Sequence, residues 1–157
     1  MRKRSKYRPK IVRADNMAYV MSGMLTMTSL KDKLISLQLK NHLALEALRL
    51  GQATKEDIDT LISAFNITEA LARQKIGEEY KAEIKEAQDA LWECAKRGVG
   101  LGYRFIVKGP ELKAINLIME LHDAQLEAST VKDIELATNY VHDCIRSKQA
   151  RPIVEKA

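Results

Sequence analysis

Between Ile58 and Cys94 the apolar residues recur with the period of a helix, and this pattern constrains the fold more than any other feature of the chain. Ile58, Ile62, Phe65, Ala72, Ile76, Tyr80, Ile84, Ala87, Leu91 and Cys94 fall on or beside successive helical steps. A half-buried strand alternates every second residue, so this spacing belongs to an amphipathic helix. The phase is kept through Gly77, and the segment reads as one helix from about residue 55 to about residue 97. At 1.5 Å per residue such a rod would be roughly 60 Å long. A rod of that length either bends in the middle, where Gly77 is the place for it, or packs against another subunit.

The rest of the chain repeats the helical signature in shorter pieces. Met17–Leu25 is a short helix that Asp15 or Asn16 would cap, with Met17, Met21 and Met24 spaced along one face for core packing. Leu30, Leu34, Leu37, Leu45 and Leu48 mark the next helix, which Gly51 ends. Ile35, Leu39 and Leu43 widen its apolar face, so it should be packed on more than one side. Thr54 with Asp57 forms a variant capping box at the start of the long helix. Tyr103–Val107 alternates weakly and reads as an ordered loop, with a short strand pairing across a subunit interface as the alternative. Gly109-Pro110 opens a helix at Glu111 that runs to Ala128. It is apolar on most faces and is the candidate for the helix most surrounded by others. Ser129/Thr130 with Asp133 starts the last helix, and the tail after Ala150 should fray.

These elements predict an all-α fold of about five helices with one very long central helix, in a helical bundle that dimerises. The chain divides into a flexible basic arm over 1–14, a single helical domain over 15–150 and a frayed tail over 151–157. With hydrophobic residues at 46% and charged residues at 30%, a chain of 157 residues can bury a real core. It has no apolar run of the ~18–20 residues that a membrane span needs. The basic N-terminus lacks the apolar stretch of a signal peptide, so a cytoplasmic location is expected. Cys94 and Cys144 match no C-x-x-C pattern and read as two reduced thiols on apolar helix faces.

Charge is segregated. Of the chain's net +5, the first thirteen residues carry +7, which leaves −2 for everything after them. The cations are Arg2, Lys3, Arg4, Lys6, Arg8, Lys10 and Arg13, with Tyr7 among them. Such an arm suits phosphates, and Tyr7 could stack a base. A solvated tail and a docking segment for an acidic protein are the other readings. No helix carries a dense basic face, so sequence-specific reading of a groove is not expected.

Catalytic signatures are lacking. His42 and Glu46 lie one helical turn apart, but no second ligand pair follows, so no metal site is read. His122-Asp123 and His142-Asp143 are not relays in themselves, because helix neighbours point about 100° apart. His122 falls on an apolar stripe as a core histidine bonded across helices, with an inter-helix His–carboxylate site between the last two helices as the sharper alternative. Gly98-Val-Gly-Leu-Gly102 follows a helix and lacks the lysine of a phosphate loop. No cofactor is indicated and the chain reads as a non-enzyme.

RKRSKYRPK at 2–10, LKNHLALEAL at 39–48, NITEAL at 66–71 and ELHDAQLEA at 120–128 together resemble small helical proteins encoded in phages and prophages of Proteobacteria. The resemblance implies a bacterial host cytoplasm and a binding protein. It brings no catalytic residues. The expected function is a helical oligomer, most simply a homodimer, that contacts nucleic acid through the arm. The alternative is an inhibitor of a host protein that acts by protein–protein contact.

Overall fold

A computed structural model describes residues 16–153. The arm residues Arg2, Lys3, Arg4, Lys6, Tyr7, Arg8, Lys10 and Arg13 lie outside this range. Among the described residues the fold is all-α, with six α-helices and no strand. They are α1 (Asn16–Gly23), α2 (Lys31–Arg49), α3 (Lys55–Arg73), α4 (Lys81–Gly100), α5 (Gly109–Ala128) and α6 (Val131–Arg146).

The predicted long helix is two helices. The chain stops at Arg73, turns over residues 74–80 and folds back as α4. The stop is a Schellman motif: Ile76 N–H donates to Leu71 O at 3.0 Å and Lys75 N–H to Ala72 O at 3.0 Å. Lys75 takes the left-handed conformation (φ 73°) that glycine usually supplies at this position, and Gly77 follows at φ 82°. Gln125 on α5 pins the turn by donating to Thr68 O at 3.1 Å and Ile76 O at 2.6 Å. The apolar phase looks unbroken because both halves face one core. Ile58, Phe65 and Ala72 of α3 share a cluster with Ile84, Leu91 and Cys94 of α4.

The central helix is α3, not the Glu111–Ala128 segment. It packs against α2, α4, α5 and α6. Its buried residues Leu61, Ala64, Phe65, Leu71 and Ala72 let neighbours approach from several sides. Both α3 and α6 begin with the expected capping boxes. Thr54 N–H donates to Asp57 at 2.8 Å, and Thr130 N–H to Asp133 at 2.8 Å. α6 docks through Ala137, its buried residue, onto Ala70 and Leu71 of α3.

Two other expectations change, whereas the Tyr103–Val107 stretch is a loop, as expected. It lays Phe105 onto the core beside Gly98, where a Cβ would come within 2.2 Å of the phenyl ring. Gly98 therefore serves close packing inside α4, not a phosphate loop. The row Met17, Met21 and Met24 is not core: these side chains are exposed, and α1 packs against the start of α6. Ile35, Leu39 and Leu43 on α2 are likewise exposed, at 59%, 56% and 60%, so among the described residues α2 packs by a single face.

Candidate functional site

α4 and α6 flank α3 and leave a groove between them with a volume of about 790 Å³. Its floor is apolar, with Phe65 and Ala72 from α3 and Ile84 and Leu91 from α4. Its rim is charged and aromatic. Arg73 pairs with Glu69 at 3.0 Å and lies over the Tyr140 ring, 5.2 Å from its centroid. Cys144 lies on the α6 wall, half-buried, and is not the core thiol expected of it. Cys94 is buried, and burial first and the nearby Glu111 carboxylate second push its thiol up to about 11. It is therefore a poor nucleophile at neutral pH.

The segment after α6 lines one end of this groove up to Ile153, while residues 154–157 of the tail expected to fray lie outside the described residues. Lys148 turns the chain at φ 57°. Arg151 then binds Asp89 at 2.8 Å and lies over the Trp92 ring, 4.3 Å from its centroid. The Trp92 indole donates to Pro152 O at 3.3 Å, and Ile153 packs on the edge of the core. Hydrogen bonding from Arg151 comes first among the causes that hold the Asp89 carboxyl below its ordinary value. Lys96 also lies over the indole, 4.8 Å from the ring centroid.

A polar seam crosses the bundle beside the groove floor. His122 is buried, 2.9 Å from the Thr68 hydroxyl through Nδ1, and so is the core histidine bonded across helices. Burial first, with His42 adding to it, pulls the imidazole down to about 4 against the opposing Asp123. An inter-helix His–carboxylate pair does exist, but it joins α2 to α5, not the last two helices. His42 Nε2 meets Asp123 Oδ2 at 2.5 Å. Glu46 turns instead to Arg49, at 2.7 Å and 2.6 Å, so His42 and Glu46 do not converge. His142 is exposed on α6. Among the described residues no three His, Cys, Asp or Glu side chains gather as a metal site would require.

Periodicity singled out neither Trp92 nor Asp89. Both lie on α4 away from its buried stripe, and to their neighbours on α4, Lys85 for Asp89 and Lys96 for Trp92, the returning C-terminal segment adds Arg151. The pair α4–α5 is fastened by Arg97, which meets Glu111 at 2.7 Å and 3.1 Å and the Ile106 carbonyl at 2.8 Å. No helix among the described residues is long and apolar enough to cross a membrane. Compared with protein-family models, with curated proteins and with solved structures, the chain matches none.

Proposed function

We propose that the protein is a non-enzymatic binding protein of a phage or prophage, a helical oligomer that grips nucleic acid through its basic N-terminal residues. The observation that carries this reading is the charge division: +7 over the first thirteen residues against −2 for the remainder. A neutral body would leave phosphate binding to the arm, with Arg2, Lys3, Arg4, Lys6, Arg8, Lys10 and Arg13 as the contacting cations and Tyr7 as a stacking side chain. The exposed row Ile35, Leu39 and Leu43 supports pairing of two bodies through α2. The resemblance to phage-encoded helical proteins supports the setting.

Binding to duplex DNA and to RNA, followed against salt, tests the reading. With about five to seven phosphates contacted, log K should fall with log[salt] at a slope of roughly −4 to −6 on duplex DNA. A chain beginning at Ala14 should keep the helical fold and lose most of the affinity. Absence of binding to either nucleic acid at low salt overturns the proposal. The second reading, an inhibitor that covers a host protein, is favoured by the same apolar row on α2. It becomes the leading one if the intact protein binds no nucleic acid.

A further inference from the structure

The charge of the body is itself divided. Residues 96–113 hold Lys96, Arg97, Arg104, Lys108 and Lys113 against one acid, Glu111, a net of +4 within a body of −2, which leaves −6 for the rest of that body. They form the corner where α4 hands over to α5. Two of the cations are engaged: Arg97 meets Glu111 at 2.7 Å, and Lys96 lies over Trp92. Glu111 also accepts from the Lys108 N–H at 2.8 Å, so its carboxylate is fully used. Arg104, Lys108 and Lys113 are exposed, and their side chains form no salt bridge among the described residues.

The loop presents these groups in a fixed pose. Burial alternates along it: Phe105 and Val107 pack on the core, while Arg104, Ile106 and Lys108 face out. The alternation puts Arg104, Ile106 and Lys108 on one side of an extended chain, with the two cations up to roughly 13 Å apart. Lys113 stands one turn into α5. Phe105 anchors the loop beside Gly98, and Arg97 donates to the Ile106 carbonyl at 2.8 Å. Tyr103 follows Gly102 (φ 68°) as a second left-handed residue, at φ 65°, and its N–H donates to the Gly98 carbonyl at 2.8 Å. Such a conformation is costly for an aromatic residue. It turns the chain so that Phe105 reaches the core while Tyr103 stays 55% exposed. The two rings meet edge to face, 6.5 Å between centroids, which leaves a face of the tyrosine ring open.

We propose that the α4–α5 corner is a second nucleic-acid contact and takes a single strand: Arg104, Lys108 and Lys113 hold phosphates, and Tyr103 stacks a base. The three cations match a polyanion, and the open ring adds what charge alone does not, because a base has a face to stack and a carboxylate has none. Bases in a duplex already stack on one another, so an exposed ring suits a strand whose bases are free. The negative balance of the remaining body confines the strand to the corner. The assignment rests on the reading of the protein as a nucleic-acid binder and adds where on the body the strand lies.

Fluorescence anisotropy of labelled oligo(dT) on the full chain, followed against salt, tests this. Arg104→Ala with Lys108→Ala and Lys113→Ala should make the slope of log K against log[salt] shallower by about 2, since each phosphate of a single strand contributes roughly 0.7. Tyr103→Asn should weaken binding about tenfold with the slope unchanged, because asparagine accepts the left-handed conformation and loses the ring. Tyr103→Phe should bind as the wild type does. A fully abasic strand should not distinguish Tyr103→Asn from the wild type. All four side chains are exposed, so circular dichroism should show the same helicity in every variant. Wild-type affinity and slope in the corner variants overturn the proposal and leave binding to the arm alone. A protein that binds duplex DNA but no oligo(dT) overturns it too, whereas one that binds neither, nor RNA, removes the underlying reading as well. Displacement of oligo(dT) by polyglutamate as readily as by unlabelled strand also overturns it and assigns the corner to an acidic protein.

Discussion

His122 shows how a single side chain couples the core to pH. It is buried with the Thr68 hydroxyl as its partner, and its imidazole titrates near 4, well below the ordinary value of 6.5. The folded protein therefore holds this ring neutral while the unfolded chain protonates it. The unfolded state binds more protons between these two values, so stability falls as pH drops through that window and loses nothing more from this residue below it. The loss should approach about 3 kcal/mol, taking 1.36 kcal/mol per unit. Chemical denaturation of the wild type and of His122→Gln at pH 7 and at pH 4.5 checks it. The wild type should lose about 2 kcal/mol more than the variant over that interval, and parallel losses would show that His122 does not titrate in this way. His42 sits differently: its partner Asp123 is within reach of solvent, and the pair bridges α2 and α5 at the surface.

Among the elements, the α3–α4 hairpin carries the fold. Its turn places Lys75 at φ 73° where a side chain costs energy, yet the Schellman bonds and the Ile76 contact with the α3–α6 cluster hold it there. Lys75→Gly should relieve that conformation and raise stability by about 0.5–1 kcal/mol, since the ion pair it removes, Lys75 with Glu78, is exposed and worth little. A rise in melting temperature checks this, and a fall would mean that the Lys75 side chain stabilises the turn by more than its backbone costs. The hairpin also positions the groove. α4 brings Asp89 and Trp92, α6 brings Tyr140 and Cys144, and α3 forms the floor between them.

For the molecule as a whole, the surface of α2 that the described residues leave exposed is the feature to explain. Ile35, Leu39 and Leu43 lie on the face of α2 opposite its buried Leu34, Asn41, Ala44 and Leu48. If two bodies pair there, light scattering at micromolar concentration should return twice the 17.8 kDa of one chain. Leu39→Asp with Leu43→Asp should return the single mass with unchanged helicity, because neither side chain packs inside the bundle. A single mass for the wild type would remove the pairing and leave the row to a different protein, in line with the inhibitor reading.

The helical fold class was determined by the sequence alone, because apolar period and caps are local. The capping boxes at Thr54 and Thr130 and the stop at Gly51 appear where the residues place them. His122 in the core followed from its stripe in the same way. The break at residues 74–80 was not legible, for a physical reason: two helices that fold back on one core keep the same apolar phase as one continuous helix. The stop at Lys75 carries no glycine, and the pin from Gln125 comes from a residue far along the chain. The rank of α3 as the central helix, the exposure of Ile35, Leu39 and Leu43, and the contact of Arg151 with Trp92 were likewise decided by tertiary structure. An apolar residue declares its preference for burial in the sequence, but whether a partner surface reaches it depends on how the helices pack. The groove exists because α4 and α6 both chose α3, and the contact of Arg151 with Trp92 because the chain returns there after α6.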